Sequence, residues 1–276
     1  MNIKRIAIIG TGSMGGAILS GLLKSGFNPD NVSVSTKSTD SAERLTDEVG
    51  VLSFAMENGD DANQMAVAGA NVVLICVKPA YVTEVLADIA DSLDDNALVI
   101  SVAAGVTTSA MEKVLPEDVG VVRAMPNTPS IVGRGLTGIS AGSRATDWAV
   151  ETAVQLFETV GKTLVLDESK IDALSTISGS GPAYVFYLIE QLTSAAKHQG
   201  FNDEEAALLV NETFLGAAEL LVSSKKTPEA LRKQVTSPNG TTERAIARMT
   251  ETDLQKMFIE ATDAALARAK ELAAGK

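Results

Sequence analysis

Short apolar runs alternate with longer amphipathic segments along the first 166 residues of the chain. Runs of four to six residues such as these are typical of strands buried on both faces of a parallel sheet. The runs are Ile6–Ile9, Val32–Ser35, Val72–Val77, Leu98–Ser101 and Val119–Arg123. Because helical patterns lie between them, the alternation predicts an α/β domain with a mostly parallel sheet.

A different pattern begins after Leu166. Apolar positions recur there at helical spacing, and no run is typical of a strand. The helical segments are Ile171–Gly200, Asp203–Ser223, Pro228–Val235, Thr242–Met249 and Leu254–Ala274. The change predicts two domains, an α/β domain over residues 1–166 and an all-α domain over residues 167–276.

One helical segment of the second domain is apolar on nearly every face. It covers Leu208–Val222, with the sequence LLVNETFLGAAELLV. A helix that is hydrophobic all round is normally buried all round. The second domain alone offers too little interior for this, so we expect a second copy of the chain to cover the helix.

Three glycines follow the first strand in Gly10-Thr11-Gly12-Ser13-Met14-Gly15, and a helical pattern begins within this motif. In a dinucleotide-binding fold the first glycine makes a tight turn, and the second lets a pyrophosphate approach the backbone. The third lets helix and strand pack closely. The N-terminus of the helix attracts phosphate through its free N–H groups and its dipole. A bare glycine turn is the alternative, but the strand–turn–helix context favours a Rossmann nucleotide site.

The end of the second strand decides which dinucleotide fits. An NAD site normally has Asp or Glu about 20 residues beyond the glycines, where the carboxylate binds the ribose 2′-hydroxyl. This chain has Ser35-Thr36-Lys37-Ser38-Thr39 there, and the first carboxylate is Asp40. Lys37 and the hydroxyls beside it suit a 2′-phosphate. A polar turn that caps the next helix fits the same residues, and the two readings are compatible. The sequence therefore favours NADP over NAD.

The composition and charge of the chain limit the kinds of partner that it can bind. The chain has 276 residues and a formal net charge of −12, whereas nucleic-acid binding needs a basic surface, so we expect no nucleic-acid partner. No run approaches the roughly 20 apolar residues of a membrane span. We therefore expect no membrane segment and a cytoplasmic location. Cys76 is the single cysteine of the chain and lies in an apolar strand. Because there is no second cysteine, an intrachain disulfide is excluded.

The ionisable residues suit a reaction that needs no dedicated acid or base. The only histidine is His198, near a helix end, and no spacing of His, Cys and Asp suits a metal. Dehydrogenation of an alcohol usually uses a general base. A protonated imine carbon is already electrophilic, and hydride delivery to it mainly needs positioning. An imine is therefore the substrate class that fits these residues.

Two glycine-containing motifs mark the second domain. Ser178-Gly179-Ser180-Gly181-Pro182 opens one helix, and Thr236-Ser237-Pro238-Asn239-Gly240-Thr241-Thr242 is a turn that leads into another. Hydroxyls and free N–H groups in the second motif suit a carboxylate. Pro and Asn-Gly are also ordinary turn residues. On spacing alone, a carboxylate clamp and a simple turn with an N-cap fit equally.

Together the motifs resemble those of pyrroline-5-carboxylate reductases. The resemblance rests on GTGSMGGAI (10–18), VKP (77–79), SVAAGVT (101–107), RAMPNTP (123–129), SGSGPAY (178–184) and TSPNGTT (236–242). These motifs span nearly the whole chain in the family's order. Asn239 stands where the family usually has a second glycine, and Lys37 where it often has Arg. Because Asn tolerates positive φ, only the exact geometry of the turn depends on Asn239.

The resemblance implies reduction of the cyclic imino acid L-1-pyrroline-5-carboxylate to L-proline, the last step of proline biosynthesis. NADPH is the implied cofactor, since members of the family usually use NADPH and only sometimes NADH. The implied fold is a Rossmann domain followed by an all-α dimerisation domain. This domain forms an intertwined homodimer, which in some members is stacked into a decamer.

The site residues are implied by the same resemblance, position by position. Those that would line the dinucleotide are Ile9, Gly10, Thr11, Gly12, Ser13, Met14, Thr36, Lys37, Ser38, Asn63, Val77, Lys78, Pro79 and Ala104. Those that would bind the substrate are Glu168, Ser237, Thr241 and Thr242. Thr242 is the implied catalytic residue, because it would also approach the ring nitrogen. No metal ligand is implied.

Two other functions stay open at this stage. A β-hydroxyacid dehydrogenase shares the same layout of domains but needs a catalytic lysine in the helical domain. Lys170 and Lys197 are the candidates, and neither lies in a recognisable motif. A nucleotide-binding protein without turnover, acting as a redox sensor or scaffold, is the second alternative. The TSPNGTT motif argues against it, since a sensor needs no substrate clamp.

Overall fold

The structure is a computed structural model that describes residues 3–273, with side chains up to residue 271. Its contacts divide the chain into two compact units. The first contains the described residues up to Ser180 together with the end of the last helix from Leu266 onward, and the second is Gly181–Ala265. The predicted domain boundary between residues 166 and 167 stays a prediction.

An eight-stranded sheet forms the centre of the first unit, in the order β3-β2-β1-β4-β5-β6-β7-β8. Strands β1 to β6 are parallel, β7 is antiparallel to β6, and β8 is parallel to β7. The strands are β1 (Ile6–Ile9), β2 (Val32–Thr36), β3 (Leu52–Ala55), β4 (Val72–Ile75), β5 (Leu98–Ser101), β6 (Gly120–Met125), β7 (Gly135–Ala141) and β8 (Gly161–Val165). The predicted α/β fold with a Rossmann sheet is confirmed.

Twelve α-helices accompany the sheet in the described residues. Those of the first unit are α1 (Ser13–Lys24), α2 (Thr39–Val49), α3 (Ala62–Val67), α4 (Val82–Ile89), α5 (Thr108–Glu112), α6 (Asp147–Glu158) and α7 (Ile171–Leu174). The remaining helices are α8 (Gly181–His198), α9 (Asp203–Ser224), α10 (Pro228–Gln234), α11 (Thr241–Thr250) and α12 (Leu254–Ala273). The second unit is helical throughout, as the sequence predicts.

The core of the first unit lies on both faces of the sheet. Side chains alternate along β1, so Ile6 and Ile8 join one buried cluster and Ala7 and Ile9 join another. The first cluster is completed mainly by α1 and α6, and the second by α3, α4 and α5. Burial on both faces is the reason that these strands read as continuous apolar runs.

Several elements differ from the sequence-based expectations. Strands β3, β7 and β8 were not predicted, and β4 ends at Ile75 rather than Val77. Cys76 therefore follows the strand, although its N–H still donates to the Ile9 carbonyl at 2.8 Å. The pairing of β1 with β4 stops at this bond, because the chain turns at Gly10, whose φ is +91°. A π-helical turn over Ser175–Gly179 interrupts the predicted helix Ile171–Gly200.

Helix α9 exposes most of its apolar side chains in the single chain. The exposed fraction is 65% for Leu208, 54% for Leu215 and 72% for Val222. By length and composition alone α9 could cross a membrane, so the expectation that no segment is apolar enough was wrong for this helix. One such helix is weak evidence for a membrane span. The sequence analysis expects a second copy of the chain to cover this same apolar surface.

Candidate active site

The crevice of the sheet lies at the carboxyl ends of β1 and β4. These strands are neighbours, but the chain continues from β1 to β2 on one side and from β4 to β5 on the other. Ligands of doubly wound sheets bind at such a switch point. The glycine motif follows β1, and Cys76 and Val77 follow β4. The topology therefore brings two of the predicted cofactor segments together.

Gly10 makes the turn out of β1. Its φ is +91°, a conformation that side chains with a Cβ rarely adopt. Its N–H donates to the Ser35 carbonyl at 3.0 Å, which ties the turn to β2. A Cβ at this position would lie 3.1 Å from the carbonyl carbon of Cys76. Backbone conformation and the approach of the β4 loop both require glycine here.

Gly12 and Gly15 shape the start of α1. A Cβ built on Gly15 would clash with the carbonyl oxygen of Gly10, so helix and turn touch backbone to backbone. A Cβ on Gly12 would meet no atom within 4 Å, and Gly12 caps α1 without a side-chain hydrogen bond. The first turn of α1 also contains no acidic residue. This open, uncapped helix N-terminus fits a pyrophosphate.

A cavity of about 600 Å³ lies beside the turn, within the first unit. Six residues predicted to contact the dinucleotide line it: Ile9, Gly10, Thr36, Lys37, Asn63 and Val77. Residues not predicted from the sequence also line it, and they include Met56, Asp60, Tyr81, Glu84, Val85 and Asp88. A cavity of this size at the switch point fits part of a dinucleotide.

The other predicted cofactor residues lie on loops and helix starts of the same unit, outside the lining of this cavity. Thr11 to Met14 form the glycine turn and the start of α1, and Ser38 is the N-cap of α2. Lys78 and Pro79 follow β4, and Ala104 follows β5; all three are exposed. Each therefore lies beyond the carboxyl end of a parallel strand.

Asn63 is buried in α3 with both ends of its amide engaged. The Ser35 hydroxyl donates to Asn63 Oδ1 at 2.5 Å, and Asn63 Nδ2 donates to Asp88 Oδ2 at 3.3 Å. The other oxygen of Asp88 accepts a hydrogen bond of 2.5 Å from Gln64. Asn63 therefore links β2 to α4 and is fixed at the wall of the cavity.

The loop between β2 and α2 carries the predicted 2′-phosphate residues. The Thr36 hydroxyl donates to the Ser38 carbonyl at 2.9 Å, and the Ser38 hydroxyl accepts from the Ser41 N–H at 3.4 Å. The Lys37 side chain is exposed and lines the cavity. The hydroxyls thus hold the loop and cap α2, which leaves Lys37 as its free cation.

Cys76 is not a candidate nucleophile. Burial raises the pKa of its thiol from 9.0 to about 12. The reactive form of cysteine is the thiolate, which is scarce at neutral pH under these conditions. Cys76 packs against the glycine turn, where a Cβ on Gly15 would approach its own Cβ to 3.2 Å.

The TSPNGTT motif forms a tight turn at the start of α11 in the second unit. Asn239 has a φ of +60°, and the Gly240 N–H donates to the Ser237 carbonyl at 3.0 Å. A Cβ on Gly240 would lie 2.6 Å from the Ser237 hydroxyl. Asn239 therefore adopts the positive φ that the family's glycine allows, and Gly240 gives the Ser237 hydroxyl room.

The turn brings the three predicted hydroxyl residues to one helix end. Thr241 and Thr242 are the first two residues of α11, and Gly240 caps this helix without a side-chain hydrogen bond. Ser237 and Thr241 are exposed, and Thr242 is half-buried. Three hydroxyls and uncapped N–H groups thus lie at the positive end of a ten-residue helix.

Glu168 belongs to the first unit, where its carboxylate is already engaged. Oε1 accepts from the Thr108 N–H at 2.8 Å and Oε2 from the Thr108 hydroxyl at 2.7 Å. Arg123 Nη1 lies 3.5 Å from Oε1. The side chain is 26% exposed, so part of it faces solvent. Its role as a substrate contact stays a prediction.

Sequence reasoning missed several residues that hold the site. Glu57 and Asp88 contact Thr39 and Asn63 from elements distant in sequence, so no local signal marks them. Arg123 begins the RAMPNTP motif, but its contact with Glu168 joins distant elements. Glu243 is different: its carboxylate accepts from the Asn239 N–H at 2.8 Å. A Glu three residues after a helix cap is a known capping signal, which could have identified it.

The other candidates for chemistry include a metal site, His198 and Lys197, and both residues lie in the part of the chain that the structure describes. No group of three or more His, Cys, Asp or Glu side chains in that part of the chain could hold a metal. His198 is exposed at the end of α8. Lys197 forms an ion pair of 2.8 Å with Asp203.

Comparisons with known proteins identify the family. A model described as pyrroline-5-carboxylate reductase dimerisation matches residues 168–272. The pyrroline-5-carboxylate reductase of Corynebacterium melassecola is 38% identical over 270 residues, which cover 97% of this chain and 98% of that protein. The Pseudomonas aeruginosa enzyme of the same name is 37% identical over 274 residues, covering 99% and 98%. The chain belongs to the pyrroline-5-carboxylate reductase family.

Solved structures agree with this assignment. A pyrroline-5-carboxylate reductase from Coxiella burnetii superposes with a TM-score of 0.92 at 37% identity, covering 98% of this chain and 99% of that one. The Plasmodium falciparum pyrroline carboxylate reductase, solved with NADP bound, has a TM-score of 0.83 at 24% identity and covers 99% and 98%. The second comparison shows the shared fold.

The family assignment settles the class of reaction. The chain is an NAD(P)H-dependent oxidoreductase of proline biosynthesis that reduces pyrroline-5-carboxylate, and the β-hydroxyacid dehydrogenase alternative is not favoured. A model described as NADP oxidoreductase, coenzyme F420-dependent, matches residues 5–105 and supports NADP as the cofactor. The dimerisation match includes α9 and supports an oligomer.

Proposed function

We propose that the chain binds NADPH at the glycine turn and the adjoining cavity, and grips the imino acid with the TSPNGTT turn. The observation that carries this proposal is the turn itself. Ser237, Thr241 and Thr242 lie around a helix N-terminus whose cap contributes no side chain. A nucleotide-binding protein without turnover has no use for such an anion-binding turn.

The dinucleotide half of the proposal assigns roles to the predicted residues. The N–H groups at the start of α1, next to Gly12, bind the pyrophosphate, because no side chain caps them. Lys37 pairs with the 2′-phosphate, and Asn63 and Val77 form cavity walls. Lys78, Pro79 and Ala104, with the rest of the predicted set, complete the contacts. When bound, NADPH supplies the hydride.

The substrate half rests on hydroxyl and backbone donors. Ser237, Thr241 and the first N–H groups of α11 bind the carboxylate, because anions are stabilised at a helix N-terminus. Thr242 orients the imine nitrogen through its hydroxyl. The imine carries its own proton, taken from solvent, so hydride addition to the C=N carbon gives the neutral secondary amine with no leaving group. The chain therefore needs to position the imine rather than to activate it.

Glu168 keeps its predicted role as a substrate contact in this proposal. Thr108 and Arg123 hold its carboxylate in one orientation. A fixed carboxylate favours a cationic partner, and the protonated imine is one. The experiment that separates this role from a purely structural one is Glu168→Gln, which should raise the KM for the imine more than the KM for NADPH.

We also infer that assembly buries the apolar surface of α9 between two copies, and that larger rings such as a decamer are built from this dimer. The exposed side chains Leu208, Leu215 and Val222 support a dry interface.

A net charge of −12 supports the absence of a nucleic-acid partner. We propose a cytoplasmic enzyme with no membrane partner, since its substrate and cofactor are small and soluble.

Steady-state kinetics test the proposed function. Rates are measured with L-1-pyrroline-5-carboxylate and each cofactor, NADPH and NADH, and separately with β-hydroxy acids and NADP⁺. We expect turnover of the imine with a preference for NADPH, and no turnover of the hydroxy acids. Turnover of the hydroxy acids alone, or cofactor binding without any turnover, would overturn the proposal.

A further inference from the structure

Strands β2 and β3 bring two loops to the same end of the sheet. They are parallel and in register, with Thr36 opposite Ala55. The residues that follow these two, Lys37 and Met56, both line the cofactor cavity. The side chains of the turn after β3 therefore lie beside the β2–α2 loop, which is assigned above to the 2′-phosphate. The inference that follows rests on that assignment.

The turn after β3, Met56–Asn58, is tied to the start of α2 by two hydrogen bonds. Glu57 Oε2 accepts from the Thr39 N–H at 3.0 Å. Asn58 Oδ1 accepts from the Thr39 hydroxyl at 2.9 Å. Thr39 is the first residue of α2 and lies two residues after Lys37. The Glu57 carboxylate thus accepts a hydrogen bond from a backbone N–H at the positive N-terminal end of α2. This N–H lies next to the residues proposed to bind the 2′-phosphate.

A carboxylate at this place affects the two cofactors differently. A 2′-phosphate brings about two negative charges to the loop, so a resident carboxylate repels it. A ribose 2′-hydroxyl carries no charge and is not repelled. Glu57 lies next to the cavity rather than in its lining, and the carboxylates of Asp60, Glu84 and Asp88, which do line it, add to the negative field. Lys37 is the only cation among the residues that line it.

We infer that Glu57 is a selectivity residue, which weakens binding of NADP(H) relative to NAD(H) by its charge. Other NAD sites place a carboxylate at the end of the second strand, and this chain has none there before Asp40. Glu57 supplies a carboxylate from the third strand instead. The cofactor preference is therefore a balance between Lys37 and Glu57.

Glu57→Gln tests this inference, because the amide still accepts from the Thr39 N–H while the charge is lost. Equilibrium binding of NADP⁺ and NAD⁺ is measured by calorimetry on the full chain without substrate, with 2′,5′-ADP and 5′-AMP as shorter probes. The ratio of NADP⁺ to NAD⁺ affinity should rise by about 1.5-fold to fivefold, the range expected for exposed charges. The rise should shrink at high salt, which screens such charges.

Two further variants make the result specific. Glu48→Gln removes the same charge from an exposed position near the end of α2 and should leave the ratio unchanged. Lys37→Gln tests the assignment on which the inference rests, and it should lower the ratio. If Lys37→Gln lowers the ratio and Glu57→Gln leaves it unchanged, the inference about Glu57 is wrong while the 2′-phosphate assignment stands. If Lys37→Gln has no effect, both are wrong.

Discussion

Arg123 Nη2 donates a hydrogen bond of 2.6 Å to Asp172 Oδ1. Arg123 lies in β6 with its side chain only 3% exposed, and Asp172 lies in α7. The same guanidinium lies 3.5 Å from Glu168 Oε1. One buried cation therefore anchors the segment 168–172, which carries a predicted substrate contact, to the sheet.

Removing this cation should destabilise the first unit. Arg123→Met leaves two carboxylates without their partner, and we expect a loss of about 1–3 kcal/mol in the free energy of unfolding. This is less than for a fully buried pair, because both carboxylates are about a quarter exposed. Urea unfolding at fixed protein concentration measures the loss.

Arg134→Met is the matched control for this prediction, since Arg134 is exposed. Its unfolding midpoint should stay close to that of the unmodified chain. Equal midpoints for the Arg123→Met and Arg134→Met proteins would contradict an anchoring role for Arg123.

The glycine turn offers a second prediction with a control one residue away. Gly15→Ala forces a Cβ onto the Gly10 carbonyl oxygen, which should cost about 1–3 kcal/mol and weaken NADP⁺ binding. Gly16→Ala places its Cβ 3.9 Å from the Thr11 carbonyl oxygen, an ordinary contact. It should be neutral or stabilising by up to about 1 kcal/mol, because alanine favours helix. Thermal unfolding and NADP⁺ titration of both variants check this; equal effects would refute the packing argument.

The sequence predicts the parts of the fold that carry strong local patterns. Strands β1, β4 and β5 are predicted because each is a continuous apolar run with a helical pattern after it. The glycine turn is predicted because it lies between a strand and a helix. Strand β7 contains two glycines among its seven residues, GLTGISA, and shows no sustained apolar run. Strand β8 lies at the sheet edge with Leu164 and Val165 half-exposed. These strands are specified by pairing with neighbours rather than by their own pattern.

The site is predicted to a similar extent. The glycine turn is predicted because its strand–turn–helix context requires glycine, whereas the roles of Ser237, Thr241 and Thr242 come from the family resemblance and stay proposals. The supporting partners of the site are not predicted, since contacts such as Arg123 to Asp172 or Glu57 to Thr39 join residues 49 and 18 positions apart. Such contacts depend on strand order and register, which a single sequence does not reveal.

The α9 surface gives a prediction about assembly. Leu215→Asp puts a charge on a surface that we expect to be dry in the dimer, where an unpaired charge is costly. The protein should dissociate or become insoluble. Leu215→Met keeps the surface apolar at similar volume and should leave the assembly unchanged. Sedimentation at micromolar concentration distinguishes the outcomes, and a compact, active monomer of the unmodified chain would show that no such interface is needed.

Thr242 gives a prediction about the chemistry. Thr242→Ala removes one or two hydrogen bonds to the substrate, so kcat/KM for the imine should fall by roughly 10–100-fold, equivalent to about 1.4–2.7 kcal/mol. Turnover should not be abolished, because the imine needs no dedicated acid. His198→Ala should have no effect. A silent Thr242→Ala together with an inactive His198→Ala would place the site elsewhere.

The most direct test of the account is the stoichiometry of the reaction. Purified chain is incubated with L-1-pyrroline-5-carboxylate and NADPH, and the L-proline formed is quantified by chiral chromatography against the NADPH consumed. The account predicts one L-proline for each NADPH oxidised, with no oxidation when the imine is omitted. NADPH oxidation without proline, or no oxidation in the presence of the imine, would contradict it.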